Sequence, residues 1–255
     1  GLYFLSDESI EHRHNSEMIN ETTRIRKQYL DKEKIKSLNY NKYKSTFLTI
    51  TERPVLFSVI ITTFNRLDKL KIAVKSVLEQ SYNNFELIVV NDAGVKIEEC
   101  LTEYCDDRIK IVNREQKNGP AAARNSGLKI AQGKYIAFLD DDDLFLNNHL
   151  ETAFRFLRKG KKVVYTDAYR YTYKKTGDDY KLIKKSIPYS IDYVRSKLLL
   201  GNISPVNCFV FEKELLDKSG FFNEDFSVLE DWEFWIRLSE YSDFYHIKKN
   251  TVVVN

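Results

Sequence analysis

Cysteine is scarce in this chain of 255 residues. The three present, Cys100, Cys105 and Cys208, are odd in number and lack metal-ligand spacing, which argues against a disulfide framework and fits free thiols in a reducing compartment. Net charge is also small. With 40 basic against 37 acidic residues the balance is +3, so nothing in it demands nucleic acid or another strongly anionic partner. No apolar run approaches a membrane span, and the N-terminus lacks the basic-then-apolar order of a signal peptide. No G-x-G-x-x-G follows a strand-like run, which disfavours a dinucleotide-dependent oxidoreductase. These absences predict a cytoplasmic protein without a nucleic-acid partner. Peripheral association with the inner face of the membrane, and homo-oligomerisation, stay open. An apolar fraction of 43% and a charged fraction of 30% are ordinary for a globular chain long enough to bury a sizeable core.

Residues 1–53 carry no glycine after the first and scatter Met18, Ile25, Leu30, Ile35 and Leu38 among many charges, a pattern that predicts a helical, partly amphipathic extension. His12 and His14 in it read as solvated side chains rather than metal ligands. From Pro54 the pattern becomes a regular alternation. Strands are expected at 56–61, 85–90, 109–112 and 134–139, with helices at 68–80, 96–104, 120–131 and 147–158 between and after them. Strands separated by such helices imply a mainly parallel, Rossmann-like α/β sheet flanked by helices, with ligands beyond the carboxyl ends of the strands. The polar clusters Thr62–Arg66, Asn91-Asp92 and Asp140–Asp143 all fall at such ends. The second half reads as a strand at 162–166, a Tyr- and Lys-rich exposed ribbon or mobile loop at 167–186, a helix at 191–200, a strand at 206–211, a helix at 230–241 and a strand at 251–254. A strand that meets the end of the sequence implies a natural chain continuing past Asn255.

The run Tyr135-Ile-Ala-Phe-Leu-Asp140-Asp-Asp-Asp143 joins a buried strand to four consecutive carboxylates. Such a cluster repels itself unless cations or donors offset it, and a hard divalent ion shared with a phosphate-bearing ligand would do so. The plainer alternative is an acidic cap on the helix that follows.

Five segments in order resemble the inverting GT-A glycosyltransferases of sequence family 2: Ser58-Val-Ile-Ile-Thr-Thr-Phe-Asn-Arg66, Phe85-Glu-Leu-Ile-Val-Val-Asn-Asp92, Gly119-Pro-Ala-Ala-Ala-Arg-Asn-Ser-Gly127, Phe138-Leu-Asp-Asp-Asp-Asp143 and Leu229-Glu-Asp-Trp-Glu-Phe-Trp-Ile-Arg-Leu238. The resemblance implies a GT-A domain over 54–255, with a nucleotide-sugar half over about 54–143 and an acceptor half over about 144–255. It implies metal-dependent transfer of a sugar from a nucleotide-sugar, a UDP-sugar by expectation, to a glycan, lipid-linked or protein acceptor. Thr62, Thr63, Asn65 and Arg66 would wall the nucleotide. Asp92 would accept a hydrogen bond from a base N–H, and Arg124 would face a carbonyl or phosphate oxygen. Asp142 corresponds to the direct ligand of Mn²⁺ or Mg²⁺, with Asp140 on the ribose side or at the metal and Asp141 a second candidate for either place. Asp231 corresponds to the base that inversion requires, and Glu230 is its neighbour. Asp143 would cap the next helix. Trp232 and Trp235 read as core rather than sugar platform. Asn202–Asn207 corresponds loosely to a loop near the acceptor, which Tyr169–Tyr180 could also reach.

The second strand departs from the family pattern, ending Asn91-Asp92-Ala-Gly where two acids are usual, so the base contact could shift. Two rival readings share some of the signal. A nucleotidyltransferase would need a glycine- and lysine-rich phosphate loop after the first strand, and 62–66 contains no glycine. A non-catalytic sugar- or partner-binding module would not need Asp140, Asp142 and Asp231 together.

Overall fold

The computed structural model describes residues 54–176 and 179–255, with only the backbone described at 175, 176, 179 and 180. The helical extension expected over 1–53, including His12 and His14, lies outside the described residues. Four strands form the parallel core: β1 (Phe57–Thr63), β2 (Phe85–Asn91), β3 (Ile109–Asn113) and β4 (Tyr135–Asp140). β1 and β2 are near-continuous apolar runs because both lie inside the sheet with both faces covered. Helices α1 (Leu67–Leu78), α2 (Glu98–Thr102) and α3 (Gly119–Ile130) connect them. α1 buries Leu70, Ala73, Val74 and Val77, the stripe that its sequence spacing predicts.

The remaining elements are β5 (Leu144–Phe145), α4 (His149–Leu157), β6 (Val163–Thr176), β7 (Asp179–Ser186), α5 (Arg195–Leu200), β8 (Phe209–Glu212), α6 (Leu216–Ser219), α7 (Glu230–Leu238) and β9 (Phe244–Val254). The sheet order is β3-β2-β1-β4-β8-β6-β9-β5, and β7 pairs with β6 outside that path. β8 runs antiparallel to both β4 and β6, whereas β9 runs parallel to β6. This mixed α/β architecture, a mostly parallel sheet flanked by helices, matches the sequence expectation.

Two packing points fix the parallel core. Gly127 lets α3 lie on β1, since a Cβ there would sit 2.6 Å from Ile60 Cγ2. At Gly133 a Cβ would fall 2.4 Å from the Ser58 backbone nitrogen, so the turn into β4 admits only glycine. The same corner holds Glu86, whose carboxylate accepts hydrogen bonds from Ser58 Oγ at 2.5 Å, the Gln132 backbone at 2.6 Å and Lys110 Nζ at 2.7 Å. Burial pushes the Glu86 carboxyl up, but these donors outweigh it and hold it below the ordinary glutamate range.

The second half departs further from the expected boundaries. The strand expected at 162–166 runs on to Thr176, and the one at 251–254 begins at Phe244. In β9 the alternation is broken by His246, Lys248 and Lys249, while in β6 residues 167–176 fall in the stretch that reads as an exposed ribbon or mobile loop. Pairing with each other supplies the stability instead, with register shifts on either side of Asp167. The helix expected from Ile191 starts at Arg195, because Asp192 is drawn into a hydrogen bond with His246 Nδ1 at 2.7 Å. The segment expected as a strand from Val206 opens with a 3₁₀ turn over Val206–Cys208. Among the described residues no helix is long and apolar enough to cross a membrane.

Candidate active site

The carboxyl ends of β1, β2 and β4 open on one edge of the sheet. Past β1 the chain turns through Asn65, whose φ of 57° is left-handed, a region that asparagine tolerates. Its Oδ1 accepts the Val95 N–H at 2.8 Å, so the Asn65 amide ties the first loop to the second. Past β2 the Asp92 backbone N–H donates to Thr63 O at 2.9 Å. The Asp92 carboxylate accepts N–H groups from Asn118 at 3.3 Å and Gly119 at 2.9 Å, and lies 3.1 Å from Arg114 Nη1. Between these loops and the start of α3 lies a cleft of about 400 Å³ lined by Thr62, Thr63, Phe64, Arg66, Asp92, Lys117, Gly119, Pro120 and Ala123. Lys117 Nζ stands 3.9 Å above the Phe64 ring on its wall.

The four aspartates after β4 have four different environments. Asp140 keeps a third of its side chain exposed and accepts from Arg124 Nη2 at 2.9 Å. Asp141 is fully buried, held by Thr63 Oγ1 at 2.6 Å and by Arg66 at 2.6 Å. Burial pushes its carboxyl above the ordinary range, against the pull of Thr63 and Arg66. Asp142 is 28% exposed, with Arg66 Nη1 at 2.8 Å and Lys69 Nζ at 3.5 Å. Asp143 caps no helix. It accepts from the Asn207 amide and from the Asn255 backbone N–H, and burial, aided by repulsion from Asp140 and Asp142, raises it to about 7.

Arg124 bridges the end of β4 and the start of α7. It is 4% exposed on α3, with Nη2 on Asp140 and Nη1 on Glu230 Oε1 at 2.6 Å. Burial works against its charge, yet the two carboxylates outweigh that and raise its pKa. Glu230 is thereby turned inward at the first position of α7. Asp231, next to it, is half-buried; its Oδ1 accepts its neighbour Trp232's N–H at 2.8 Å and its Oδ2 accepts Asn202 Nδ2 at 2.9 Å. Burial, together with the adjacent Glu230, raises the Asp231 carboxyl despite Arg124. α7 is entered through Leu229 at φ 60°, a left-handed conformation that is strained for a leucine. Trp235 is fully buried and stacks on Phe209 at 4.1 Å, while Trp232 Nε1 donates to Leu198 O at 2.6 Å. Both tryptophans are thus structural.

The structure therefore brings Thr62, Thr63, Arg66 and Asp92 around the cleft, sets Asp142 and Asp140 beside it, and links Asp140 through Arg124 to the Glu230-Asp231 pair. Asn65 and Asp141 are spent on loop contacts. Lys69 and Lys117 join the site without a sequence assignment, and Asn207 takes a place that its sequence does not foretell. Lys69 had a sequence signal, since it lies one helical turn from Arg66. Asn207 had none. Loosely placed near an acceptor, it is buried and holds the acidic run from beneath, its Oδ1 accepting the Asp140 N–H at 3.0 Å. Arg66 and Lys69 reach Asp142, Arg124 holds Asp140, and Lys117 lines the cleft, a set of cations that suits a phosphate-bearing ligand; among the described residues no three His, Cys, Asp or Glu side chains are grouped to hold a metal ion.

A model of glycosyl transferase family 2 matches residues 58–220. The uncharacterized glycosyltransferase YwdF of Bacillus subtilis is 30% identical over 184 residues, covering 72% of this chain and 68% of that protein. The Escherichia coli UDP-Glc:α-D-GlcNAc-diphosphoundecaprenol β-1,3-glucosyltransferase WfgD is 38% identical over 105 residues, 41% of this chain and 42% of that one. Among solved structures, S. aureus TarS 1–349 in complex with UDP superposes with a TM-score of 0.63 at 21% identity, over 78% of this chain and 60% of that one. The chain spans only 17 to 23% of the length of three rickettsial relatives that it also matches.

Proposed function

The chain belongs to glycosyl transferase family 2, and from that premise we propose that it is an inverting, metal-dependent enzyme that moves a sugar from a UDP-sugar to a hydroxyl of a glycan, lipid-linked or protein acceptor. The observation that carries this reading is the Arg124 bridge. One guanidinium contacts both Asp140, beside the nucleotide cleft, and Glu230, beside the carboxylate suited to act as base. On this reading residues 54–143 bind the donor and 144–255 supply the acceptor side.

In the donor half, Thr62 and Thr63 wall the base and ribose. Asp92 has spent only part of its four-site acceptor capacity on Asn118, Gly119 and Arg114, leaving room for the N–H of uracil. TarS, which shares the fold, has been crystallised with UDP and with UDP-GlcNAc. Arg66, whose guanidinium is held by Asp141 and Asp142, stands at the cleft wall with Lys117, and Lys69 reaches Asp142; these cations would offset the charge of the diphosphate. The donor set for a metal is two carboxylates, Asp142 and Asp140, each with a partly exposed side chain. That fits Mn²⁺ or Mg²⁺, which are commonly bound by one or two carboxylates and completed by substrate phosphates. When bound, such an ion would neutralise charge on the departing diphosphate.

Asp231 accepts the proton of the acceptor hydroxyl as that oxygen bonds to the anomeric carbon; the bond to the diphosphate breaks and its electron pair leaves with UDP. Asn202 holds Oδ2 of Asp231, and the start of α7 favours its ionised form. Glu230 keeps Arg124 in place. The reading is tested by screening nucleotide-sugars for metal-dependent hydrolysis or transfer, with product stereochemistry followed by NMR. Turnover of a UDP-sugar with inversion is expected. Donor binding without hydrolysis or transfer across the panel would leave a non-catalytic binding module instead.

A further inference from the structure

The second half of β6 and all of β7 form a two-stranded ribbon that nothing in the mechanism uses. Beyond Arg170, which pairs with Val254, β6 has β7 as its partner, and residues 171–176 project roughly 20 Å at the rise of an extended strand. An isolated pair of strands is marginally stable in water, and this one is unusually costly. Lys174 stands directly opposite Lys181, a like-charge pair that destabilises a ladder unless an anion lies near. Between residues 170 and 186 the sequence holds six basic and two acidic residues, although the whole chain nets only +3. The ribbon is also apolar where it meets water: Tyr173, Leu182 and Ile183, with Ile187 just past its end, are 43 to 57% exposed.

We propose that this ribbon docks on an anionic lipid surface. Tyrosine suits the boundary between headgroups and hydrocarbon, exposed Leu and Ile gain by entering it, and the lysines reach the lipid phosphates on flexible stems. Lysines that merely guard a free sheet edge would account for the charge but not for the exposed aliphatic side chains. Single-stranded nucleic acid fits less well. Lys185 Nζ lies 3.6 Å over the Tyr169 ring and 5.6 Å from that of Tyr171, covering faces on which bases would stack, and Leu182 and Ile183 would gain nothing from bases.

The ribbon leaves the sheet beside the acidic run. Val253, which pairs with Tyr169, pairs on its other side with Leu144, and Asn255 donates to Asp142 O at 2.7 Å. A docked ribbon would therefore hold the cleft near the lipid surface. Resting on the transferase reading above, that narrows the acceptor to one carried on lipid.

The test is sedimentation of the full chain with vesicles of phosphatidylglycerol and phosphatidylcholine in equal parts, and with phosphatidylcholine alone. Binding to the mixed vesicles, reversed by salt, is expected. The variant Lys174→Gln/Lys181→Gln/Lys184→Gln should bind about a hundredfold more weakly, at about fivefold per lysine, while its UDP affinity, measured without vesicles, stays that of the parent. Leu182→Ser/Ile183→Ser should remove the part of binding that resists salt. Failure of the parent to sediment, undiminished binding by the lysine variant, or displacement of the parent from vesicles by an oligothymidine would each overturn the proposal. If UDP fails to bind while sedimentation behaves as expected, the transferase reading falls and the lipid-binding surface stands.

Discussion

Replacing Arg124 with methionine keeps much of the side chain's volume but removes its charge and both of its hydrogen bonds. Glu230 would then be buried without a cation, and Asp140 would lose its partner. Removing one member of a buried ion pair costs about 3–5 kcal/mol. Because a third of the Asp140 side chain is exposed, water screens that half of the bridge, and the expected loss lies at the low end, about 3 kcal/mol. For a domain of this size that corresponds to a fall in Tm of roughly 6–12 °C. The assay is urea and thermal unfolding of the parent, Arg124→Met, Glu230→Gln and the double variant. Since Glu230→Gln removes the stranded charge, the double variant should cost about 2 kcal/mol less than the sum of the singles. UDP-sugar hydrolysis or transfer by Arg124→Met should fall as well, because the helix carrying Asp231 loses its tie to Asp140. A loss below about 1 kcal/mol, with additive effects of the two substitutions, would refute the claim that this guanidinium couples the end of β4 to the start of α7.

Further outcomes follow from other parts of the structure. Asp231→Asn should lower kcat by about 10²–10⁴-fold while leaving UDP affinity unchanged. In the parent, activity should be lost as pH falls through a value above that of an ordinary aspartate, because a base must be ionised and burial raises this one; kcat/KM against pH checks both. His149 is fully buried and its pKa is depressed by burial to about 3. Between pH 6.5 and 3 the unfolded chain therefore binds a proton that the folded chain refuses. Stability is lost as pH falls through that window, by about 2 kcal/mol at pH 5. Comparing urea unfolding at pH 5 and 7 in the parent and His149→Asn isolates this slope, which the variant should lack. Gly133→Ala should destabilise by roughly 3 kcal/mol or prevent folding, since its Cβ meets backbone that has no room to move; a fall in Tm under about 2 °C would contradict that packing.

Residues 54–143 were largely legible because their strands are central. β1, β2 and β4 are apolar runs bounded by polar clusters, and parallel pairing puts all those clusters on one edge. Which aspartate does what was not legible. Asp141 and Asp142 are neighbours in sequence, yet one is sealed beneath Arg66 and the other stays partly exposed, a difference set by the turn after β4. Arg124 was marked as a cation near the nucleotide, but its link to Glu230, 106 positions away, has no local signal. In residues 144–255, pairing with β6 overrides a β9 sequence broken by His246, Lys248 and Lys249, so the length of β9 could not be read. The ribbon's Tyr-Lys pattern is that of an exposed ribbon or a mobile loop, and the pairing of β6 with β7 makes it the former. Its opposed lysines follow from register, which a bulge near Thr172 and Tyr173 resets.

The central claim, that Asp142 and a metal ion together hold a uridine diphosphate, is tested most directly by titrating UDP calorimetrically into the parent and Asp142→Ala, with Mn²⁺ and with a chelator. Binding by the parent should weaken about 10–100-fold when the metal is removed, and Asp142→Ala should bind equally weakly under both conditions. UDP binding by the parent that is indifferent to the chelator, or metal-dependent binding that survives in Asp142→Ala, would contradict it.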